Sequence, residues 1–178
     1  TLQVMKAGEL EKANDIPGAI AIYEALYTKD SSNTVLANNL ASLIASYNDD
    51  PQSLERAYAI ARRLRGIQVP AFQDTYGWIA YRRGDYEEAL SSLEPAAKGL
   101  PQDALTQYHL AMAYLALERP EDAKRQFELA LTLAGNSPQP QFADAKAQLA
   151  KLASGNTGGN TGGAAPATGG QGTSGSTP

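Results

Sequence analysis

Aromatic and thioether side chains carry the most distinctive chemistry of this sequence, and they recur at helical spacing. One series, at intervals of three, four and three residues, consists of Leu105, Tyr108, Met112 and Leu115. A second series, within residues 71–83, consists of Asp74, Trp78, Tyr81 and Arg82. Residues three and four apart share one face of an α-helix, so each series forms a stripe. Because Trp and Tyr dominate interface energies and Met adapts to irregular partners, the stripes predict binding of an apolar or aromatic peptide segment.

The reactive groups that an enzyme needs are absent from the sequence or isolated in it. With no Cys, the chain has no cysteine nucleophile, disulfide or zinc knuckle. Its single His, His109, has no Ser or carboxylate at a recognisable partner spacing, so we expect a structural or exposed side chain. No Gly-rich loop joins a strand to a helix, which excludes a phosphate cradle of that kind. The sequence therefore predicts a protein that is not an enzyme and that uses no metal or cofactor.

Composition divides the 178 residues into a foldable part and a tail. All 15 Lys and Arg and all 19 Asp and Glu fall within residues 1–153, and the formal net charge of −4 gives no footprint for nucleic acid. No apolar run approaches the roughly 18 residues that a membrane-spanning helix needs. Residues 154–178 are rich in Gly, Ser, Thr and Asn and cannot bury enough apolar surface to offset their ordering entropy. We therefore predict a disordered tail.

An internal repeat with a period of 34 residues organises the foldable part. At that offset small residues mostly meet small ones and large apolar residues meet large ones, in the pairs Gly77 and Ala111, Ala80 and Tyr114, Ala89 and Ala123, Leu93 and Phe127, and Ala96 and Ala130. Each repeat splits into two helical patterns. The predicted helices are 2–13, 16–28, 34–47, 51–65, 71–83, 86–99, 103–117, 120–134 and 139–153. The ninth has one apolar face, which is typical of a terminal cap.

These repeats resemble tetratricopeptide (TPR) repeats. The resemblance rests on the period, on the recurring order of Gly or Ala, Tyr, Ala, Phe or Leu, Ala and Pro, and on the turn at residues 84–89. It implies an all-α, right-handed superhelix of about four helix hairpins plus a C-terminal capping helix. We expect a repeat domain over residues 1–153, with repeats near 1–31, 34–69, 70–103 and 104–137, a cap helix at 139–153, and the tail at 154–178.

The resemblance also implies a concave groove, lined by the first helix of each hairpin, that binds a peptide or a partner protein. The groove residues it implies are Asn38, Ser42, Asp74, Trp78, Tyr81, Arg82, Tyr108 and Met112. Packing against neighbouring helices is the alternative role. We favour it for Met112 and Leu115, whereas both roles stay open for Trp78, Tyr81 and Tyr108. If packing holds throughout, the chain is a purely structural segment of a longer array.

Two further kinds of contact follow from the same resemblance. Chaperone-type TPR domains clamp a C-terminal carboxylate with Lys, Asn and Arg, but here Asp74 lies two turns from Arg82 on the same stripe, which argues against such a clamp. The first helix carries an apolar edge that a preceding repeat would cover, and we expect it to drive self-association when exposed. This edge consists of Leu2, Met5 and Leu10.

A narrower resemblance concerns biological context. Residues 38–41, 54–57, 74–78 and 108–111 are similar to the C-terminal repeats of bacterial envelope TPR proteins, including the TPR lipoproteins associated with exopolysaccharide and PEP-CTERM/exosortase systems. The resemblance implies a scaffold in a bacterial envelope or polysaccharide-export assembly, in the periplasm rather than the cytoplasm. Partner identity, pathway and oligomeric state stay open.

Overall fold

The structure is a computed structural model that describes residues 2–155, and these residues are almost entirely helical. Within them the helices are α1 (Leu2–Lys12), α2 (Ile16–Lys29), α3 (Thr34–Tyr47), α4 (Pro51–Ala61), α5 (Pro70–Arg83), α6 (Tyr86–Gly99), α7 (Ala104–Ala116), α8 (Pro120–Ala134) and α9 (Pro140–Ala153). The predicted all-α architecture is confirmed. Apart from its first two residues, the predicted tail at 154–178 lies outside the described residues.

Local sequence explains where most of these helices begin. At four N-termini a short polar side chain accepts a hydrogen bond from a backbone N–H of the first turn, at Asp15, Asn33, Asp50 and Asp103. These bonds satisfy donors that have no partner inside the helix. Four helices, α4, α5, α8 and α9, begin with a proline, where the missing N–H costs nothing.

The fourth helix is shorter than the sequence predicted. It ends at Ala61 rather than near residue 65, and the chain tightens into a 3-10 helix at Arg62–Leu64. Gly66 follows with a φ of 79°, in the left-handed region that favours glycine. The connection to α5 therefore turns earlier than an uninterrupted helix would allow.

Consecutive helices form hairpins that stack side by side. The hairpins pair α1 with α2, α3 with α4, α5 with α6, and α7 with α8, and α9 packs on the last of them. The first helices of neighbouring hairpins also touch, from α3 to α5, from α5 to α7, and from α7 to α9. Within the described residues α1 is the exception, because it packs against α2 but makes no comparable contact with α3. In this part of the chain no helix is long and apolar enough to cross a membrane.

Small residues sit where two helices of a hairpin come closest. The fully buried alanines of these contacts are Ala7, Ala19, Ala41, Ala57, Ala89, Ala111 and Ala123. Large side chains such as Leu93 and Phe127 alternate with these small residues and are also fully buried. Close approach of helices requires a missing side chain on one partner, so this alternation explains why small and large residues recur at the same repeat positions.

The cap helix α9 closes the last hairpin with one apolar face. Phe142 and Ala145 are buried in the same cluster as Phe127 of α8, and Met112 and Leu115 of α7 pack against that cluster. The lysines of α9 point to solvent. This helix therefore covers part of the surface to which the sequence assigned binding, and it separates α7 into a covered side and an accessible side.

Candidate functional site

A cleft of about 190 Å³ lies where the first helices α3, α5 and α7 meet the cap helix α9. We call it the groove cleft, and its lining residues are Ala45, Ser46, Asp49, Trp78, Arg82, Leu105, His109 and Gln141. It collects one cation, one indole, one imidazole and one amide around a small opening. The groove cleft is thus the point on the first-helix face where aromatic and charged groups converge.

An aromatic stack forms the wall of the groove cleft. The Trp78 ring lies parallel to the His109 ring, with centroids 4.1 Å apart and an interplanar angle of 15°. On its other side Trp78 stacks on Tyr81, with centroids 4.9 Å apart and an angle of 9°. Burial raises the pKa of Tyr81 to about 12, so its hydroxyl stays neutral at physiological pH. Trp78 is held between two rings while part of its surface remains accessible.

The His109 imidazole has a carboxylate partner that the sequence analysis missed. Its Nδ1 lies 2.9 Å from Oδ1 of Asp74, and both side chains are mostly buried. The carboxylate orients the ring, with Nδ1–H as the donor, so His109 has the structural one of its two expected roles, and its partner is a carboxylate that no sequence spacing had indicated. Asp74 precedes His109 by 35 residues, which is one repeat plus one residue. The repeat period was therefore the signal that could have found this pair.

Arg82 is anchored on the C-terminus of α3. Its Nη1 donates to the carbonyl oxygens of Ala45 and Asn48, the latter at 3.4 Å, and its Nη2 lies 3.0 Å from Oδ1 of Asp49. The last carbonyls of a helix have no partner inside it and carry partial negative charge, so a guanidinium there is favourable. The Arg82 side chain is only 18% exposed, whereas that of Asp49 is 96% exposed.

Tyr108 lies behind the cleft rather than in it. Its ring is buried against Phe127 at a centroid distance of 6.1 Å, and its hydroxyl donates to Oδ2 of Asp144 on α9 at 2.8 Å. Burial raises the pKa of Tyr108, and the hydrogen bond to Asp144 adds to this effect. The structure therefore places Tyr108 as the link between α7 and α9.

The other predicted groove residues differ in their position relative to the groove cleft. Trp78 and Arg82 line the cleft, Asp74 and Tyr81 hold the aromatic stack, and Met112 packs toward α9. Asn38 and Ser42 are half-buried on α3, outside the cleft lining.

The polar contacts near Asn38 run away from the cleft. Its Nδ2 donates to Asn39, and Asn39 in turn donates to the Tyr23 hydroxyl at 3.3 Å. Tyr23 itself donates to Glu11 of α1 at 3.0 Å. This chain of hydrogen bonds joins the first two hairpins through α2, where α1 and α3 do not meet.

Six of the lining residues carried no site assignment from the sequence, namely Ala45, Ser46, Asp49, Leu105, His109 and Gln141. Gln141 belongs to the polar side of the predicted cap helix, and nothing in its spacing connected it with Trp78. Of the six, Leu105 lies on a stripe noticed in the sequence, and Ser46 lies one helical turn after the predicted groove residue Ser42. The stripes in the sequence therefore predicted part of the lining, and only the packing of the helices shows the rest.

A larger cleft, of about 570 Å³, opens on the other side between the 3-10 helix, α5 and α6. At its base the Tyr76 hydroxyl donates to Glu88 at 2.7 Å, and the same carboxylate pairs with Arg65 at 2.9 Å. These contacts already satisfy the charged group at its centre. Within residues 2–155 there is also no group of three or more His, Asp or Glu side chains that could hold a metal ion.

Comparison with known proteins identifies the architecture. Residues 80–153 match the family model of the tetratricopeptide repeat. The crystal structure of the MamA protein has a TM-score of 0.60 at 15% identity, covering 88% of this chain and 82% of that chain. A MamA structure from AMB-1 has a TM-score of 0.60 at 17% identity, covering 86% and 96%. A thermophilic TPR protein of Thermus thermophilus has a TM-score of 0.58 at 18% identity, covering 83% and 77%.

At these identities the solved structures show the fold, and the predicted all-α TPR superhelix is confirmed. Among curated proteins, none matches the chain. The matched residues begin in α5 and run to the end of α9, so they include Arg82, Leu105, His109 and Gln141 of the groove cleft but not Trp78. Over residues 80–153 the chain is similar to tetratricopeptide repeats, and solved TPR structures share the fold of the described helices.

Proposed function

We propose that this protein is a non-enzymatic scaffold that binds a peptide segment of a partner protein in the groove cleft. TPR folds serve generally as protein–protein interaction scaffolds without catalytic activity, and the MamA-like neighbours fit that role. The observation that carries the proposal is Trp78, an accessible indole fixed between His109 and Tyr81 on the wall of an open cleft. A rigid aromatic group loses little conformational entropy when it is covered, which favours binding.

The alternative function is that of a structural segment in a longer array. The burial of part of the same helix face supports it. Tyr108 is buried beneath α9, and Met112 packs on the same cluster, so these two side chains contribute to stability. The two functions predict different effects for Trp78. A binding residue affects affinity for peptides, whereas a purely structural residue affects stability alone.

Replacement of Trp78 by Ala is expected to weaken peptide binding by at least tenfold, because it removes the largest accessible aromatic surface of the cleft. The probe is a set of peptides selected from a random 12-residue display library on the whole 178-residue chain, then synthesised and measured by calorimetry. Leu129→Ala on α8 is the matched control, since it removes an exposed apolar side chain far from the cleft. Equal affinities of both variants for every selected peptide would contradict binding in the groove cleft.

We further propose a bacterial envelope context, in an envelope or polysaccharide-export assembly. What supports this context is the resemblance of residues 38–41, 54–57, 74–78 and 108–111 to envelope TPR repeats. Fractionation of cells that express the full-length protein tests it, with recovery in the periplasm or membrane expected and recovery in the cytoplasm contradicting it.

A second candidate function is self-association through the N-terminal edge. Leu2 is 80% exposed and Met5 is 68% exposed, whereas Leu10 packs against the core, so the exposed edge is smaller than the sequence predicted. We expect light scattering to show a mass that rises with concentration, and the double variant Leu2→Glu with Met5→Glu to remain a monomer because charges replace the apolar contact. A monomer at all concentrations for the unsubstituted chain would contradict this role.

A further inference from the structure

The ion pair between Arg82 and Asp49 joins a fixed cation to a loosely held anion. Arg82 is mostly buried and is anchored by two carbonyl oxygens of the α3 C-terminus. Asp49 follows α3 in the connection to α4, and its side chain is almost wholly exposed. Ion pairs with an exposed partner contribute little to stability, so displacement of Asp49 from Arg82 costs little. Arg82 keeps its position without Asp49 because the carbonyl contacts remain.

The same cleft contains an acceptor that lacks a donor. Gln141 of α9 lines the groove cleft, and its Oε1 is buried without a hydrogen-bond partner among residues 2–155. A buried polar atom without a partner is unfavourable, and most such atoms in folded proteins are satisfied. A backbone N–H from a bound peptide would supply the missing donor.

Asp74 is held by His109 and does not stand at the opening of the groove cleft. Asp74 lies on the same stripe as Arg82, but its Oδ1 is paired with Nδ1 of His109 at 2.9 Å. Asp74 is not part of the cleft lining. The charged groups at the opening are therefore Arg82 and the Asp49 side chain that already pairs with it.

We propose that the groove cleft recognises an acidic side chain, Asp or Glu, within an internal peptide segment of the partner. Its carboxylate takes the place of Asp49 on Nη2 of Arg82, the adjacent apolar part of the segment covers Trp78 and Leu105, and a backbone N–H donates to Gln141. Asp49 thus acts as a built-in competitor that occupies the cation when no partner is bound. This inference rests on the proposed function, since it names the chemistry of the peptide bound there.

The test uses two synthetic libraries of nonapeptides, identical and random except for a central Glu in one and a central Gln in the other. Acetylated and amidated ends remove terminal charges, so a side-chain carboxylate is the distinguishing group. We expect the immobilised 178-residue protein to retain the Glu library at least tenfold more than the Gln library. Asp49→Asn is expected to raise retention of the Glu library about threefold or more, because the internal competitor is lost.

Controls separate recognition of the carboxylate from general charge and from folding. Glu121→Gln on α8 removes one negative charge away from the cleft and should leave retention unchanged. Arg82→Gln should abolish the preference for Glu, and circular dichroism checks that this variant is folded. Should it unfold, Asp49→Asn still decides the question, because that exposed side chain has no packing role.

Two results would overturn the inference in distinguishable ways. If the unsubstituted protein retains both libraries equally and Trp78→Ala retains neither, peptide binding in the groove cleft stands. Recognition of the carboxylate is then contradicted. If neither the unsubstituted protein nor any variant retains either library, both the proposed function and this inference are contradicted.

Discussion

Replacement of Phe127 by Ala is expected to lower the free energy of unfolding by about 3–5 kcal/mol. Phe127 is fully buried on α8, and its ring packs on Tyr108 of α7 in the cluster that also contains Phe142 of α9. One side chain therefore joins three helices. Its removal leaves a cavity between the three helices. Because the surrounding core is closely packed, the neighbouring side chains can fill this cavity only in part.

Urea denaturation followed by circular dichroism measures this effect. Leu129→Ala on the same helix is the matched control, because its side chain is 41% exposed and its loss should cost less than about 1 kcal/mol. Ala is the better helix former in both cases, and the propensity gains of the two substitutions differ by less than about 1 kcal/mol, so a larger difference in stability reports packing. A loss below about 1 kcal/mol for Phe127→Ala would contradict a role in joining α7, α8 and α9.

Two Gly→Ala substitutions are expected to change stability in opposite directions. At Gly77 of α5 a Cβ would lie 2.7 Å from Cγ of Leu93 and 3.1 Å from Cβ of Ser92, both on α6. At Gly8 of α1 a Cβ would meet no described atom within 4 Å. Gly77→Ala should therefore lower stability by about 1–3 kcal/mol through overpacking. Gly8→Ala should raise it by about 0.5–1 kcal/mol, because Ala is the better residue in a helix interior.

The pair is informative because propensity alone predicts stabilisation at both positions. Leu93 is fully buried and cannot move away without disturbing its own neighbours, so the contact with α5 outweighs the gain in propensity. Thermal unfolding of both variants, with circular dichroism as the signal, measures the two signs. A rise in stability for both variants would show that the α5–α6 contact tolerates a methyl group.

Much of the helical scaffold could be predicted from local sequence. Caps such as Asp103 and first-turn prolines such as Pro120 mark helix starts through their own hydrogen-bonding chemistry, with no help from distant residues. The repeat of small and large residues, seen in Gly77 with Ala111 and in Leu93 with Phe127, reflects the same close packing in each hairpin. Such signals are contained within one or two repeats and are therefore visible in the sequence.

The lining of the cleft could be predicted only in part, and Tyr108 shows why. A stripe at spacings of three and four residues identifies a helix face, but each first helix has neighbours on both flanks. Tyr108 and His109 are adjacent in sequence, yet α9 covers the first while the second faces Trp78. Which flank is covered depends on the angle at which the cap helix crosses α7, and that angle is a property of the whole stack.

The sequence by itself determined that this chain is an all-α stack of helix hairpins with a terminal cap and with aromatic residues concentrated in its last hairpins. Only the tertiary structure decided which side chains meet. The pairing of His109 with Asp74 joins two hairpins, and the anchoring of Arg82 depends on the connection after α3, where the carbonyl of Asn48 and the carboxylate of Asp49 come within its reach. Repeat periodicity specifies positions along a helix, whereas contacts between hairpins follow from how those helices pack in three dimensions.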